Sequence, residues 1–462
     1  VSKARLYVTA RGIYEYYVNG EKVSNDYYNP GLTQYNLTHL YQSYDVTEAV
    51  QNGENAMGAR LGEGWWSGML GFGNTWNGFG DRQSLLAQLI ITYEDGSESV
   101  VITEPGNWQF SDSSPVVYGS LSMGEVYDAR IAEEQAGWAT TSFEREWEPA
   151  AEISLETTKA QNVQPNMMRP AQTLSYDNMK LIGQIGEPAR EFTTVQAKSV
   201  EEVRPGVFVY DLGQNIVGVP RLHFANGKAG EAVTVRFAEM LYPDLPESGP
   251  NVGMIMTENY RAALSQDIYI MTDGEQTFEP HFTSHGFQYI EITVVDKPLP
   301  LEAVNGVVVS SVQALTARYE SSDQKVNQLW SNLTWSNVDN SLSVPTDCPQ
   351  RNERMGWSGD INVFAPTATY VSDASQFMRR HLQAMRDTQA ESGRYADVAP
   401  VGGGFGGVLW GVAGITVPWE TYWQYGDKGL LAEHYSSMNE YMTFLHDSID
   451  SETGLSTDSG LG

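Results

Sequence analysis

Cysteine is almost missing from this chain: Cys348 is the one thiol in 462 residues. A single thiol cannot close an internal disulfide, so the fold is no stapled scaffold and its stability has to come from packed cores. Basic residues are in deficit, with Lys and Arg numbering 28 against 58 Asp and Glu, a formal net charge of −30. Such a surface repels phosphate backbones and anionic membranes, which excludes nucleic acid as an expected partner. No apolar run approaches the length of about 18 residues that a bilayer-spanning helix requires. The first residues, Val1-Ser2-Lys3-Ala4-Arg5, include neither an initiator methionine nor the apolar core of a signal peptide. A fragment is therefore expected, and the compartment, cytoplasmic or secreted, stays open.

Large side chains, by contrast, are plentiful: 12 Trp, 25 Tyr and 15 Phe supply bulk for cores or for stacking. The length exceeds one ordinary domain of about 100 to 150 residues. The first block, 1–155, reads as β. Leu6, Val8 and Ala10 alternate with polar neighbours, and Tyr14, Tyr16 and Val18 lead into Asn19-Gly20, a two-residue hairpin signal. Leu89, Ile91 and Tyr93 repeat the pattern up to Asp95-Gly96, with Val101 starting the return strand. Gly62-Glu63-Gly64-Trp65-Trp66 reads as a rim loop whose tryptophans serve either packing or sugar contact.

The second β block, 156–315, opens on a polar linker around 157–170, with its strands from about 172 to 314. There Val233, Val235 and Phe237 alternate, as do Ile290, Ile292 and Val294, with turn signals at Asn226-Gly227 and Asp273-Gly274. His281 and His285 have a spacing open to metal ligation, but no third histidine or cysteine stands nearby and a structural role is expected. From 316 to 462 the apolar period becomes 3.6. Ser321 and Gln324 form a capping-box pattern ahead of a stripe of Val326, Trp330 and Leu333. Phe377, Met378, Leu382 and Met385 mark a second helix, and Leu431, Tyr435, Met438, Met442 and Leu445 the buried face of a third. Long Gly-rich and aromatic loops between helices suggest a helical barrel. This stretch holds about half the helices a closed barrel of six hairpins needs. The remaining hairpins are expected as continued sequence or a second polypeptide.

Chemistry concentrates in Pro345-Thr346-Asp347-Cys348-Pro349-Gln350-Arg351-Asn352-Glu353-Arg354-Met355-Gly356-Trp357-Ser358-Gly359-Asp360. Three carboxylates, two arginines and a tryptophan converge on a loop shaped by prolines and glycines. Glycoside hydrolysis needs a carboxylic acid that stays protonated, groups that hold sugar hydroxyls, and an apolar wall. The alternative is a surface loop with ordinary ion pairs. Cys348 has no histidine beside it to act as a base, so a nucleophilic role is not favoured.

The Asp-Cys-Pro-Gln-Arg-x-Glu-Arg-x-Gly-Trp-x-Gly-Asp run resembles the signature of bacterial inverting α-L-rhamnosidases, glycoside hydrolase family 78. Four further segments are similar to that family in its order: Asn29 to Tyr35, Gly124 to Arg130, Tyr210 to Gly218, and Phe282 to Tyr289. The resemblance implies a galactose-binding-like, jelly-roll-like sandwich, a central β-sandwich and the first part of an (α/α)6 barrel. It implies Glu353 as general acid, Asp347 and Asp360 on sugar hydroxyls, and Arg351 orienting the sugar or the acid. Trp357 would face the methyl group of a rhamnosyl residue, with Trp410 a further contact. The implied substrate is a rhamnosylated glycoside or polysaccharide.

Two departures stand out. Where the family often has an aspartate soon after a tryptophan, Trp410 is followed by Val412 and Gly414. The region that the resemblance ties to calcium and sugar binding in some relatives falls on Glu125 and Asp128, but Gly119 to Met123 lacks the expected upstream acid, which leaves a salt-bridged structural loop as the alternative. The general base is expected beyond residue 462, since Glu391, Glu420 and Asp427 carry no assignment. Rival readings are a non-catalytic sugar-binding protein on this fold and another six-hairpin glycosidase or lyase. A lyase acting on uronates would want a cationic cleft, which an acidic chain with 7 histidines does not favour.

Overall fold

The computed structural model describes residues 1–71, 73–160, 174–403 and 407–458. Most of the polar linker expected at 157–170 lies outside these residues. In the first sandwich, Lys3–Arg11 runs antiparallel to Thr38–Asp45 on one side and to Ser84–Thr92 on the other, and Glu98–Ile102 extends the sheet. A three-stranded sheet of Glu21–Lys22, Ile13–Val18 and Met57–Gly62 faces it. Period-two alternation sends Leu6, Val8, Tyr14, Tyr16 and Val18 into the shared core. Asn19 and Gly20 both take positive φ, 52° and 89°, the conformation that a tight hairpin demands of its two turn residues.

The central domain is a ten-stranded sheet. Its spine is Val207–Gly227, 21 residues long, with a register shift between Asp211 and Ile216. Val233, Val235, Phe237, Ile290 and Ile292 are all fully buried. Val294 breaks the alternation: its φ is 67° and it is 61% exposed, so the strand has already ended.

Sheet membership does not follow the expected division near residue 155. Val116–Ser120 and Gly124–Asp128 belong to the ten-stranded sheet, the latter parallel to Gln266–Ile270. In the other direction, Lys180–Gly183 pairs parallel with Thr38–Asp45 in the first sheet. Each sandwich thus lends strands to the other, a long-range pairing that no local pattern encodes.

The described helices include Gln324–Asp339, Ser358–Val371, Ser375–Asp387, Ala413–Tyr425 and Lys428–Asp447. None is long and apolar enough to cross a membrane. Two expected details are corrected. Asp323, not Ser321, caps the first helix, accepting from the Lys325 N–H at 2.9 Å, while Ser321 Oγ accepts from the Asp323 N–H in the preceding turn. That helix buries Thr334, Asn337, Val338 and Asp339, whereas Val326 is 38% exposed. In Lys428–Asp447 the buried face is Leu430, His434, Ser437 and Tyr441, and Tyr435 and Met442 point outward at 62% and 51% exposure. The inward polar groups are paired: Tyr395 Oη lies 3.0 Å from His434 Nε2, and Ser437 Oγ donates to Gln389 Oε1 at 2.7 Å. Hydrogen bonding lets polar residues take the interior, so the apolar stripe and the buried stripe differ by about one position.

Trp65 and Trp66 are 5% and 0% exposed, which makes them core residues. Together with Leu32, Tyr35, Phe282, Val344, Met355 and Trp357 they form a cluster that joins both sandwiches to the helical part. The segments Asn29 to Tyr35 and Phe282 to Tyr289 therefore meet at one junction that includes Met355 and Trp357 of the acidic loop.

Candidate active site

The acidic loop is closed at its neck by two hydrogen bonds. The Asp347 N–H donates to the Met355 carbonyl at 2.9 Å, and the Met355 N–H donates to Asp347 Oδ1 at 2.8 Å. Inside the neck, Cys348 and Arg354 adopt positive φ of 39° and 50°, turning the chain tightly enough for Glu353 to point back toward Asp347. Downstream, Trp357 bridges to Val398, and the helix Ser358–Val371 begins.

Neighbouring domains clamp the loop from outside. Arg354 is buried and donates to Leu121 O and to Ser284 O, the latter at 2.8 Å. Burial without a carboxylate partner brings its guanidinium down to about 10. Gln350 Nε2 donates to Glu239 at 2.9 Å, and Asn352 Nδ2 donates to Asn74 Oδ1 at 2.5 Å.

At the centre, Glu353 is 4% exposed. Its Oε1 accepts from Arg261 Nη1 at 2.5 Å. Atoms of Asp347, Cys348 and Glu353 all lie within 4.8 Å of one another. Desolvation, reinforced by a hydrogen bond to Glu353 and by its charge, pushes the Asp347 carboxyl up to about 9. Two carboxyls this close cannot both ionise cheaply, so at neutral pH the pair keeps one proton. Burial and the two carboxylates likewise push the Cys348 thiol up to about 12. A thiol that stays protonated is a poor nucleophile.

The other expected residues divide. Asp360 stands in the first turn of Ser358–Val371 and is exposed. Partial desolvation and the Glu353 charge raise its carboxyl, which brings it into the same electrostatic neighbourhood. Trp410 lies against Gly359: a Cβ there would meet the indole Nε1 at 2.6 Å, so only glycine permits this approach beside Asp360. Trp357 is 7% exposed and packed in the junction cluster, so it supports the loop from below more than it lines an open wall. Arg351 donates to the Asn259 carbonyl at 3.1 Å and approaches Cys348 Sγ at 3.5 Å. Its recorded contacts hold the loop, and the arginine on Glu353 is instead Arg261, 92 residues upstream in sequence. No local signal in Glu258-Asn259-Tyr260-Arg261 marks it, because the contact is made only by folding.

At the alternative cation position, Glu125 accepts from the backbone N–H groups of His281 and Phe282 at 2.9 and 2.7 Å. Asp128 caps a short helix and pairs with Arg130 at 2.7 Å. The two carboxylates are thus committed to different partners. His281 pairs with Glu15 at 3.0 Å, and His285 with Asp267 at 3.0 Å. Gly414, where an aspartate was considered, lies under Tyr395, whose ring a Cβ would meet at 2.1 Å. Asp427 caps the helix Lys428–Asp447 and binds Arg379 at 3.0 Å.

Known proteins extend this picture. The α-L-rhamnosidase N-terminal domain matches residues 1–173, the bacterial α-L-rhamnosidase concanavalin-like domain 201–310, and the six-hairpin glycosidase domain 314–462. An α-L-rhamnosidase of Streptomyces avermitilis is 41% identical over 450 residues, 96% of this chain and 40% of the relative. One from Formosa agariphila is 35% identical over 453 residues, 96% of this chain and 45% of the relative. Among solved structures, the S. avermitilis α-L-rhamnosidase complexed with L-rhamnose superposes with a TM-score of 0.85 at 38% identity, covering 97% of this chain and 41% of that one. The Aspergillus terreus α-L-rhamnosidase gives 0.83 at 32% identity, covering 95% and 48%. The chain spans less than half the length of these relatives. With its three domains matched in order and its acidic loop assembled at their junction, the chain belongs to the bacterial α-L-rhamnosidase family.

Proposed function

We propose that the protein carrying this chain hydrolyses terminal α-L-rhamnosyl residues from glycosides or polysaccharides with inversion, using Glu353 as general acid. The observation that carries the reading is the pairing of buried Glu353 with half-buried Asp347, which retains a proton at neutral pH in a loop clamped by the two sandwiches. A glycosidic oxygen leaving as an alcohol needs such a proton. Asp360, exposed beside Trp410, is the carboxylate free to accept hydrogen bonds from sugar hydroxyls. Inversion requires a base about 6.5 to 9.5 Å from the acid, and the reading assigns it to a later hairpin of the barrel, beyond residue 462.

A panel of p-nitrophenyl glycosides tests the substrate class, and the reading falls if α-L-rhamnoside is not the one cleaved. Glu353→Gln is expected to lower turnover about a hundredfold to ten-thousandfold on rhamnosides with poor leaving groups. Activated aryl rhamnosides should lose less, because their leaving groups need little protonation. Equal loss on both would make Glu353 a binding residue. Proton NMR of the first product should show the anomer opposite to the substrate's.

A further inference from the structure

We propose that Arg261, supplied by the central β-sandwich, is a positioning residue that holds Glu353 by one oxygen so that the other presents its proton to the glycosidic oxygen. The inference rests on Glu353 being the general acid.

Several features point the same way. The guanidinium meets Oε1 of a carboxyl whose side chain is 5% exposed, while the Arg261 side chain itself is 39% exposed. The cation thus sits at the rim and the carboxyl inside, with Arg261 on Oε1 and Asp347 close by. The backbone is built for this reach. Arg261 follows the 3-10 turn Glu258–Tyr260 and takes a φ of 58°, a conformation that side-chain-bearing residues rarely adopt and that the surroundings must enforce. Enforcement is visible on both sides. Tyr260 is fully buried and donates to the Gly286 carbonyl at 2.5 Å, and the Asn259 carbonyl accepts from Arg351 of the acidic loop at 3.1 Å. Turn and loop are therefore interlocked, with Arg351 reaching one way and Arg261 the other.

The chemical consequence is balanced through the step. The bond from the anomeric carbon to the leaving oxygen breaks with its electron pair on that oxygen. That oxygen takes the proton from the other oxygen of Glu353, while water supplies the new bond to carbon and gives up a proton to the base that the proposed function assigns to a later hairpin. Glu353 finishes as a carboxylate whose new charge lies beside the guanidinium, so Arg261 favours the product side of proton transfer. It also fixes the carboxyl rotamer before the substrate arrives.

Arg261→Met in the whole protein is expected to lower kcat on an alkyl rhamnoside by about tenfold or more, with KM changed by less than about threefold. Without the cation the acid should hold its proton to higher pH, moving the alkaline limb of the rate profile upward by about one pH unit. Arg261→Lys should recover much of kcat and return the limb. An unmoved limb, or an effect confined to KM, overturns the proposal. Should Arg261→Met fail to fold, Arg261→Gln carries the same expectation for the limb. A readout without turnover separates this inference from the reading beneath it. The Glu353 carboxyl, followed by 13C NMR and assigned with Glu353→Gln, should titrate at higher pH in Arg261→Met. If that midpoint stays put in an active rhamnosidase, the inference fails and the reading stands. If the midpoint moves but no rhamnoside is cleaved, the reading fails while the coupling survives.

Discussion

At the scale of single residues, Asp347 and Asp360 look equivalent in the sequence but do different jobs in the fold. Asp347 closes the neck of the loop through Met355 N–H, so part of its value is structural. Asp347→Ala leaves that N–H without its acceptor and is expected to cost about 1 to 3 kcal/mol of stability. Asp347→Asn keeps an acceptor oxygen and should cost less, while losing the shared proton and hence most turnover. Asp360 is exposed at a helix start, and Asp360→Asn should leave stability within about 0.5 kcal/mol. Urea unfolding of the three variants decides the matter: a large loss for Asp360→Asn would place that side chain in the scaffold. His381 presents the opposite case. It is 1% exposed, and both ring nitrogens are buried without a hydrogen-bond partner among the described residues. Burial pushes it down to about 4, so it is a neutral imidazole. His381→Leu, similar in volume and without polar atoms, should be neutral or stabilising by about 1 kcal/mol. A clear destabilisation would mean that the imidazole has a partner of its own.

Elements are where sequence reading succeeded and failed for identifiable reasons. Hairpins such as the one at Asn19-Gly20 were legible because turn geometry and alternation are local properties. The acidic loop was legible because its composition is unusual over sixteen residues. Sheet membership was not, since Gly124–Asp128 finds Gln266–Ile270 and Lys180–Gly183 finds Thr38–Asp45 only through long-range parallel pairing. Helix faces were misread by about one position wherever paired polar side chains took the interior, as with His434 and Ser437. The site shows the same limit. Glu353, Asp347 and Asp360 could be picked out as a group, but Arg261, Glu239 and Asn74 reach the loop from other domains. Arg354 was visible only as one more charge, and in the fold it is the pin between elements. Arg354→Met would strand the Leu121 and Ser284 carbonyls, each an acceptor from a charged donor worth about 1.5 to 3 kcal/mol. The expected outcome is a loss of about 3 kcal/mol together with faster proteolysis of the loop. Intact stability would show that the domains hold the loop without it.

For the whole molecule, the decisive quantity is where buried acids keep their protons. Glu63 and Glu125 are each pushed up to about 7, and Asp339 to about 8, in every case chiefly by desolvation. They sit in the first sandwich, at the sheet junction and at the end of a helix, so the effect is spread over the domains. In an unfolded chain these carboxyls titrate near the ordinary value of about 4. Between there and pH 7 to 8 the folded state binds more protons than the unfolded one, and stability must fall as pH rises. Three histidines work from the other side. His39 and His381 are pushed down to about 4 and His434 to about 3, so below their unfolded value of about 6.5 the unfolded state binds more protons and stability falls as pH drops. The two groups oppose one another from about 4 to 6.5, and above 6.5 the carboxyls act alone. Tm is therefore expected to decline from about pH 6.5 to 8, well before lysines or tyrosines titrate. The net charge of −30 pushes in the same direction by self-repulsion, but that part is screened by salt, whereas a fully buried carboxyl is not. Glu125→Gln separates the two. Glutamine mimics the protonated acid, keeping an oxygen for the His281 and Phe282 N–H groups while removing the titration. At high salt the variant should match the wild type near pH 4 and become progressively the more stable of the two up to about pH 7, above which the gap stops growing. If the separation between the two curves stays constant from about pH 4 to 7, Glu125 is not held protonated by its burial.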